Sequence, residues 1–136
     1  MPVKYESYIK EYNQIVRILT DEILLSSSDK EYKAKCVWDI GSTKCCISMR
    51  AVNKLNLYPI NFGKLTGTKG TKKSNVYKLY VNISPNLTFE VTAMSFEPIK
   101  QDIDFLIGMD IISTGNLHIV NENNLTTLRF DHILEV

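Results

Sequence analysis

The sequence predicts a mostly β fold with two short helices. Two observations carry that prediction. Short apolar and β-branched runs recur along the chain, several alternating with period two and most bounded by Gly, Pro, Asn or Ser. Helical spacing, by contrast, holds only over brief stretches. The length of 136 residues, 44% hydrophobic and 23% charged, suits one small globular domain.

The elements follow in order. Tyr5, Tyr8, Ile9 and Tyr12 are spaced by three and four, which predicts one face of a short helix in an N-terminal arm over residues 1–13. The remainder, residues 14–136, reads as the domain proper. Ile15 to Leu25 is rich in β-branched and apolar residues and predicts a strand, bulged near Asp21. Ser26 to Lys30 is a turn, and Tyr32 to Trp38 the returning strand. Asp39-Ile40-Gly41-Ser42-Thr43 is a loop by composition. Ser48 is placed to cap a helix over Met49–Leu55, ended by Asn56-Leu57-Tyr58-Pro59. Residues 63–75 hold three of the six glycines and four lysines and predict a mobile hairpin or loop. Val76–Ile83 and Leu87–Phe96 are strands joined by Ser84-Pro85-Asn86. Phe105-Leu106-Ile107 is a short buried strand cut by Gly108, and Asp110–Thr114 a helical turn stopped at Gly115. Leu117–Val120 and Thr127–Phe130 close the chain as a hairpin. Val37 to Gly41 and Asp104 to Gly108 form a faint repeat, each an apolar strand running into a glycine and then a short helix.

Composition narrows the function classes. Sixteen Lys+Arg against fifteen Asp+Glu leave a net charge of +1, which offers no electrostatic footprint for nucleic acid. No apolar run approaches the ~20 residues of a membrane span, and the start lacks the apolar core of a secretory signal, so a cytoplasmic location is expected. Cys36, Cys45 and Cys46 are odd in number and two are adjacent, a poor disulfide framework. With His118 and His132 far away they lack the spacing of a zinc site, so no metal and no cofactor is expected. In such a chain the sequons at Asn82, Asn86 and Asn124 carry no weight.

Two segments carry chemistry. Cys36-Val37-Trp38-Asp39-Ile40-Gly41-Ser42-Thr43 resembles the active-site loop of aspartic proteases, in which apolar residues precede Asp-Thr/Ser-Gly. Phe105-Leu106-Ile107-Gly108-Met109-Asp110-Ile111-Ile112 resembles the second signature of the retroviral-type, or retropepsin-like, enzymes. Order, interval and the mostly β setting agree over roughly Ile15 to Phe130. The resemblance implies a small closed β-barrel of the acid-protease type, active as a symmetric homodimer on a peptide or protein substrate. Asp39 is then the catalytic residue and Ile40, Gly41, Ser42 and Thr43 its loop, with the Ser42 hydroxyl donating to the carboxylate. Gly67, Thr68, Lys69 and Gly70 become the tip of a flap, and Leu106, Ile107, Gly108, Met109 and Asp110 the second signature. Leu128–Leu134 is the candidate strand for the dimer interface.

The chemistry explains the pattern. Hydrolysis without a metal or a covalent nucleophile needs a base and an acid beside one water. Two carboxylates about 3 Å apart cannot both ionise, so they share a proton. One loop per chain supplies one carboxylate, hence the second subunit. This chain departs from the family at Ile40, where Thr or Ser bonds across the dimer axis.

Other readings of the same residues stand beside this one. Asp39-Ile40-Gly41 alone is an ordinary turn. Trp38 is core rather than substrate-binding, Lys69, Lys72 and Lys73 a solvated loop rather than an anion site, and Asp110 a structural partner rather than a second acid. At the level of function, the alternatives are a catalytically weak or inactive domain of the same fold, used for dimerisation or peptide binding, and an unrelated small β-barrel interaction module.

Overall fold

The computed structural model describes residues 4–67, 70–97 and 102–134, with the backbone alone over 62–67 and 70–73. The described chain forms ten strands and two short helices in the order β1 (Lys4–Glu11), β2 (Thr20–Ser26), β3 (Glu31–Trp38), β4 (Cys46–Ser48), α1 (Met49–Lys54), β5 (Asn61–Gly67), β6 (Gly70–Ser84), β7 (Leu87–Phe96), β8 (Phe105–Ile107), α2 (Met109–Ile112), β9 (Gly115–Glu122) and β10 (Leu125–Leu134). The mostly β prediction with two short helices holds.

Six strands close a barrel. The order β2-β3-β8-β4-β7-β6 returns to β2 through pairs from Leu24↔Asn82 to Ser26↔Tyr80, and β5 extends from the far edge of β6. Closure leaves these six strands without a bare edge to template aggregation. The interior is filled by inward-facing residues of alternating strands, among them Ile23, Leu25, Ala34, Cys36, Ile47, Leu79, Val81, Ala93, Phe105 and Ile107, all buried. A second sheet, β1-β10-β9, lays Leu128 and Phe130 against this core.

Turn chemistry sets the hairpins. Ser27 N donates to Lys30 O at 2.9 Å and closes β2–β3. Asn123 and Asn124 both take positive φ, 53° and 62°, between β9 and β10. A tight hairpin turn needs that region at both central residues, and Asn tolerates it better than most side chains. Ser48 caps α1 by accepting from Ala51 N at 3.1 Å, as its position predicts.

Two expectations fail. The arm is a strand and not a helix. Its Tyr and Ile residues pair antiparallel with β10 from Lys4↔Leu134 to Glu11↔Thr127, and burial alternates with period two. A ladder of main-chain bonds outweighs a few residues of helical spacing, since an isolated short helix is marginal in water. The strand predicted from Ile15 starts only at Thr20. Residues 12–19 instead cross from one sheet to the other. Tyr12 N donates to Thr126 O, Thr126 N to Gln14 O and Val16 N to Thr126 Oγ1, while Ile15 and Ile18 stay exposed. Leu128–Leu134, the candidate interface strand, lies in β10, the middle strand of the three-stranded sheet; Thr127 to His132 pair with both β1 and β9, and Ile133 and Leu134 pair with β1. Of residues 63–75, predicted as a hairpin or loop, 63–67 lie in β5 and 70–75 in β6, which pair as a hairpin with Gly67 opposite Gly70.

Candidate active site

The two signature segments lie side by side. β3 and β8 pair in parallel, with Cys36↔Phe105, Val37↔Leu106 and Trp38↔Ile107 in register. The faint sequence repeat is therefore a pair of neighbouring strands that end together. At that shared end Asp39 N donates to Ile107 O at 2.9 Å, and the chain turns away into the loop.

The loop is a tight turn built on Asp39 itself. Gly41 N donates to Asp39 Oδ1 at 2.9 Å, and Ser42 N to Asp39 O at 3.1 Å. Gly108 and Met109 support it from below, Met109 N donating to Ser42 O at 2.7 Å. A Cβ on Gly108 would lie 2.5 Å from the carbonyl carbon of Lys44 and 2.9 Å from Ser42 O. Only glycine permits that approach, because the obstacles are backbone and cannot swing aside. Gly108 thus serves the first segment as much as its own.

The Ser42 hydroxyl does not donate to Asp39. It donates to Lys44 O at 2.6 Å, within the loop, and lies 3.9 Å from Cys46 Sγ. In this single chain the partner of Asp39 Oδ1 is the Gly41 amide, which the turn brings closer than the Ser42 side chain. No basic side chain among the described residues pairs with Asp39. Thr43 is exposed on the same loop. Ile40 is 70% exposed, a large apolar side chain standing out from the turn.

Asp110 opens α2 and faces the other end of the loop. Its carboxylate accepts from Cys45 N at 3.1 Å and from Cys45 Sγ at 3.2 Å. It therefore holds the start of β4 in place. Leu106 and Ile107 belong to β8, where Ile107 is buried. All three cysteines are free and buried. Burial pushes the Cys36, Cys45 and Cys46 thiols above their ordinary range, so they stay protonated and unreactive at neutral pH. Of the flap residues, Gly67 and Gly70 end β5 and begin β6, while Thr68 and Lys69 lie outside the described residues.

Two buried carboxylates escaped the sequence reading. Asp104 is buried and accepts from Ser48 Oγ at 2.7 Å, Arg50 Nε at 2.8 Å and Tyr32 OH at 2.8 Å, tying α1 and β3 to the start of β8. Asp21 is 5% exposed and accepts from Tyr8 OH at 2.5 Å and Trp38 Nε1 at 3.2 Å. Burial, and then the Asp21 carboxylate, hold the Tyr8 phenol well above its usual range. A signal for Asp21 was present. It shares the parity of Ile23 and Leu25, the inward face of β2, and an acid at an inward position calls for donors.

No protein-family model and no curated protein matches the sequence. Among solved structures the fold is similar to the crystal structure of a retropepsin-like aspartic protease from Rickettsia conorii, with a TM-score of 0.56 and 14% sequence identity over 97% of each chain. At that identity the likeness is one of fold, and it extends over nearly the whole chain: a closed barrel with two short helices, similar to that of a retropepsin-like aspartic protease.

Proposed function

We propose that the chain is an aspartic endopeptidase working as a symmetric homodimer, with Asp39 of each subunit forming the catalytic pair. The observation that carries this reading is the seating of Asp39. It leaves the end of a buried strand on a turn braced by Gly108 and Met109, and no described cation neutralises it. The exposed Ile40 beside it supports the same reading, since a loop that meets its twin at a twofold axis must stand clear of its own subunit. The two carboxylates share one proton. The ionised one draws a proton from the bound water, and the protonated one donates to the carbonyl oxygen of the scissile peptide. The β5–β6 hairpin, in which Gly67 pairs with Gly70, closes over the peptide and excludes water.

The absence of a hydroxyl at position 40 favours a second reading, a domain of this fold that binds peptide or dimerises but cleaves weakly or not at all. One experiment separates the two. The purified chain is assayed for pepstatin binding and for peptide cleavage across pH, with Asp39→Asn alongside. The protease reading expects a bell-shaped profile with an acidic optimum, persistence in chelator, and loss of cleavage in a still-folded Asp39→Asn. Pepstatin binding without cleavage selects the second reading. Cleavage that survives Asp39→Asn overturns the assignment of Asp39.

A further inference from the structure

We propose that Asp21 and Tyr8 are positioning residues for the Asp39 loop, acting through Trp38; the proposal rests on the reading of Asp39 as the catalytic carboxylate. Trp38 is the residue before Asp39 and is 3% exposed. It is held on every side. Its backbone N donates to Leu19 O at 3.0 Å and its Nε1 to Asp21 Oδ2 at 3.2 Å. The Tyr8 ring stacks on it at 6.1 Å with an interplanar angle of 21°, and Phe130 lies against it at 5.5 Å. The next amide, Asp39 N, is bonded to Ile107 O. The backbone on which the loop turns is therefore fixed by a side chain that itself has little room to move.

The choice of residues argues for more than packing. Position 21 lies on the inward face of β2 between Thr20 and Glu22, and its inward neighbours in parity are Ile23 and Leu25. A hydrophobic residue there would fill the core without desolvating a carboxylate, and such replacements are often neutral or stabilising. Asp21 instead gathers two neutral donors on one oxygen, from two different elements. One donor is the tryptophan that leads into the loop. The other is Tyr8 of β1, a strand of the second sheet. Departures from simple burial rules concentrate where a structure must hold a site in place, and a carboxylate pair works only within a fraction of an ångström of its proper geometry. The β1 strand thus reports, through Tyr8, Asp21 and Trp38, on the placement of Asp39.

A control lies four residues along the chain. Tyr12 OH donates to Thr20 O at 2.6 Å, stitching the same regions together through a backbone carbonyl and not through the Asp21 carboxylate or the Trp38 side chain. The test compares Tyr8→Phe and Asp21→Asn with Tyr12→Phe in the full chain. Trp38 is the sole tryptophan, so intrinsic fluorescence reads it directly. Three quantities are followed: its emission maximum, amide exchange at Asp39 and Gly41, and kcat and KM for a peptide substrate. Tyr8→Phe and Asp21→Asn are expected to shift the emission, to speed exchange at Asp39 and Gly41 about tenfold, and to lower kcat about tenfold with KM within twofold. Tyr12→Phe is expected to leave all three within twofold. Unchanged loop exchange in the first two variants, or an equal rise in Tyr12→Phe, overturns the proposal. Should Tyr8→Phe fail to fold, Asp21→Asn decides. The two readings fail separately. Wild-type hydrolysis that does not depend on Asp39 removes the catalytic reading, whereas Asp39-dependent hydrolysis with kcat untouched by both variants removes the positioning role alone.

Discussion

At the residue scale the site rests on close approach more than on side-chain chemistry. Gly108 is the clearest case. The carbonyl of Lys44 and that of Ser42 occupy the space that any Cβ would need. Gly108→Ala must push the loop off β8 and α2, and overpacking of this kind costs about 1–3 kcal/mol. We expect a fall in stability of that size by urea titration, together with a larger loss of any Asp39-dependent activity, because the loop moves before the barrel does. The glycine stands out in the sequence, at the end of Phe105-Leu106-Ile107, but its steric reason does not. Nothing in Phe105 to Ile112 states that Lys44 passes over it. The Ser42 hydroxyl makes the same point in reverse. Its place in the loop is legible, yet its bond goes to Lys44 O, since the turn aims it back along the chain.

Among the elements, β1 departs most from its sequence pattern. Spacing by three and four suggested a helix, while pairing with β10 imposed a strand. That pairing has a polar clasp on its outer side. Asp131 accepts from Ser7 Oγ at 2.6 Å and from Arg129 Nε at 3.1 Å, with His118 Nε2 at 3.2 Å. The Ser7 hydroxyl first, and then Arg129, hold the Asp131 carboxyl below its ordinary value. The sign follows from linkage. A carboxyl with a depressed folded-state value contributes stability that is present above the unfolded value, near 4, and is lost as pH falls through the folded one. The clasp is partly solvated, so its worth is about 0.5–1 kcal/mol. Ser7→Ala is expected to lower Tm by a few degrees at pH 7, with the difference shrinking toward zero below pH ~3. A difference that holds constant in acid would show that Ser7 acts by packing and not through the Asp131 charge.

At the scale of the whole molecule, the proposed reading turns on the association of two copies. β10 is enclosed between β1 and β9, so the free edges of the second sheet belong to those two strands. Ile40, 70% exposed, is not part of the buried core, and replacing it leaves that core intact. Under the proposed reading, Ile40→Thr therefore acts only on association. A hydroxyl able to bond across the axis adds on the order of 1 kcal/mol per bond, and dimerisation should tighten about tenfold by sedimentation, with activity at low concentration rising in step. Weaker association would mean that the interface is built around the isoleucine. The sequence by itself determined most of the barrel-forming strands, β4 excepted, the capped helix after Ser48, and the two segments that end at Asp39 and Gly108. These are local matters of period, capping and turn chemistry, written in neighbouring residues. Only the tertiary structure decided that β1 is a strand, that β10 lies in the middle of its sheet, that Gly108 carries the Asp39 loop, and that Asp21 holds Trp38. Each of these depends on groups far apart in the chain, such as Tyr8 with Asp21 and Trp38, or Gly108 with Lys44. A pattern read along the chain has no access to which distant backbone will come to fill the space beside it.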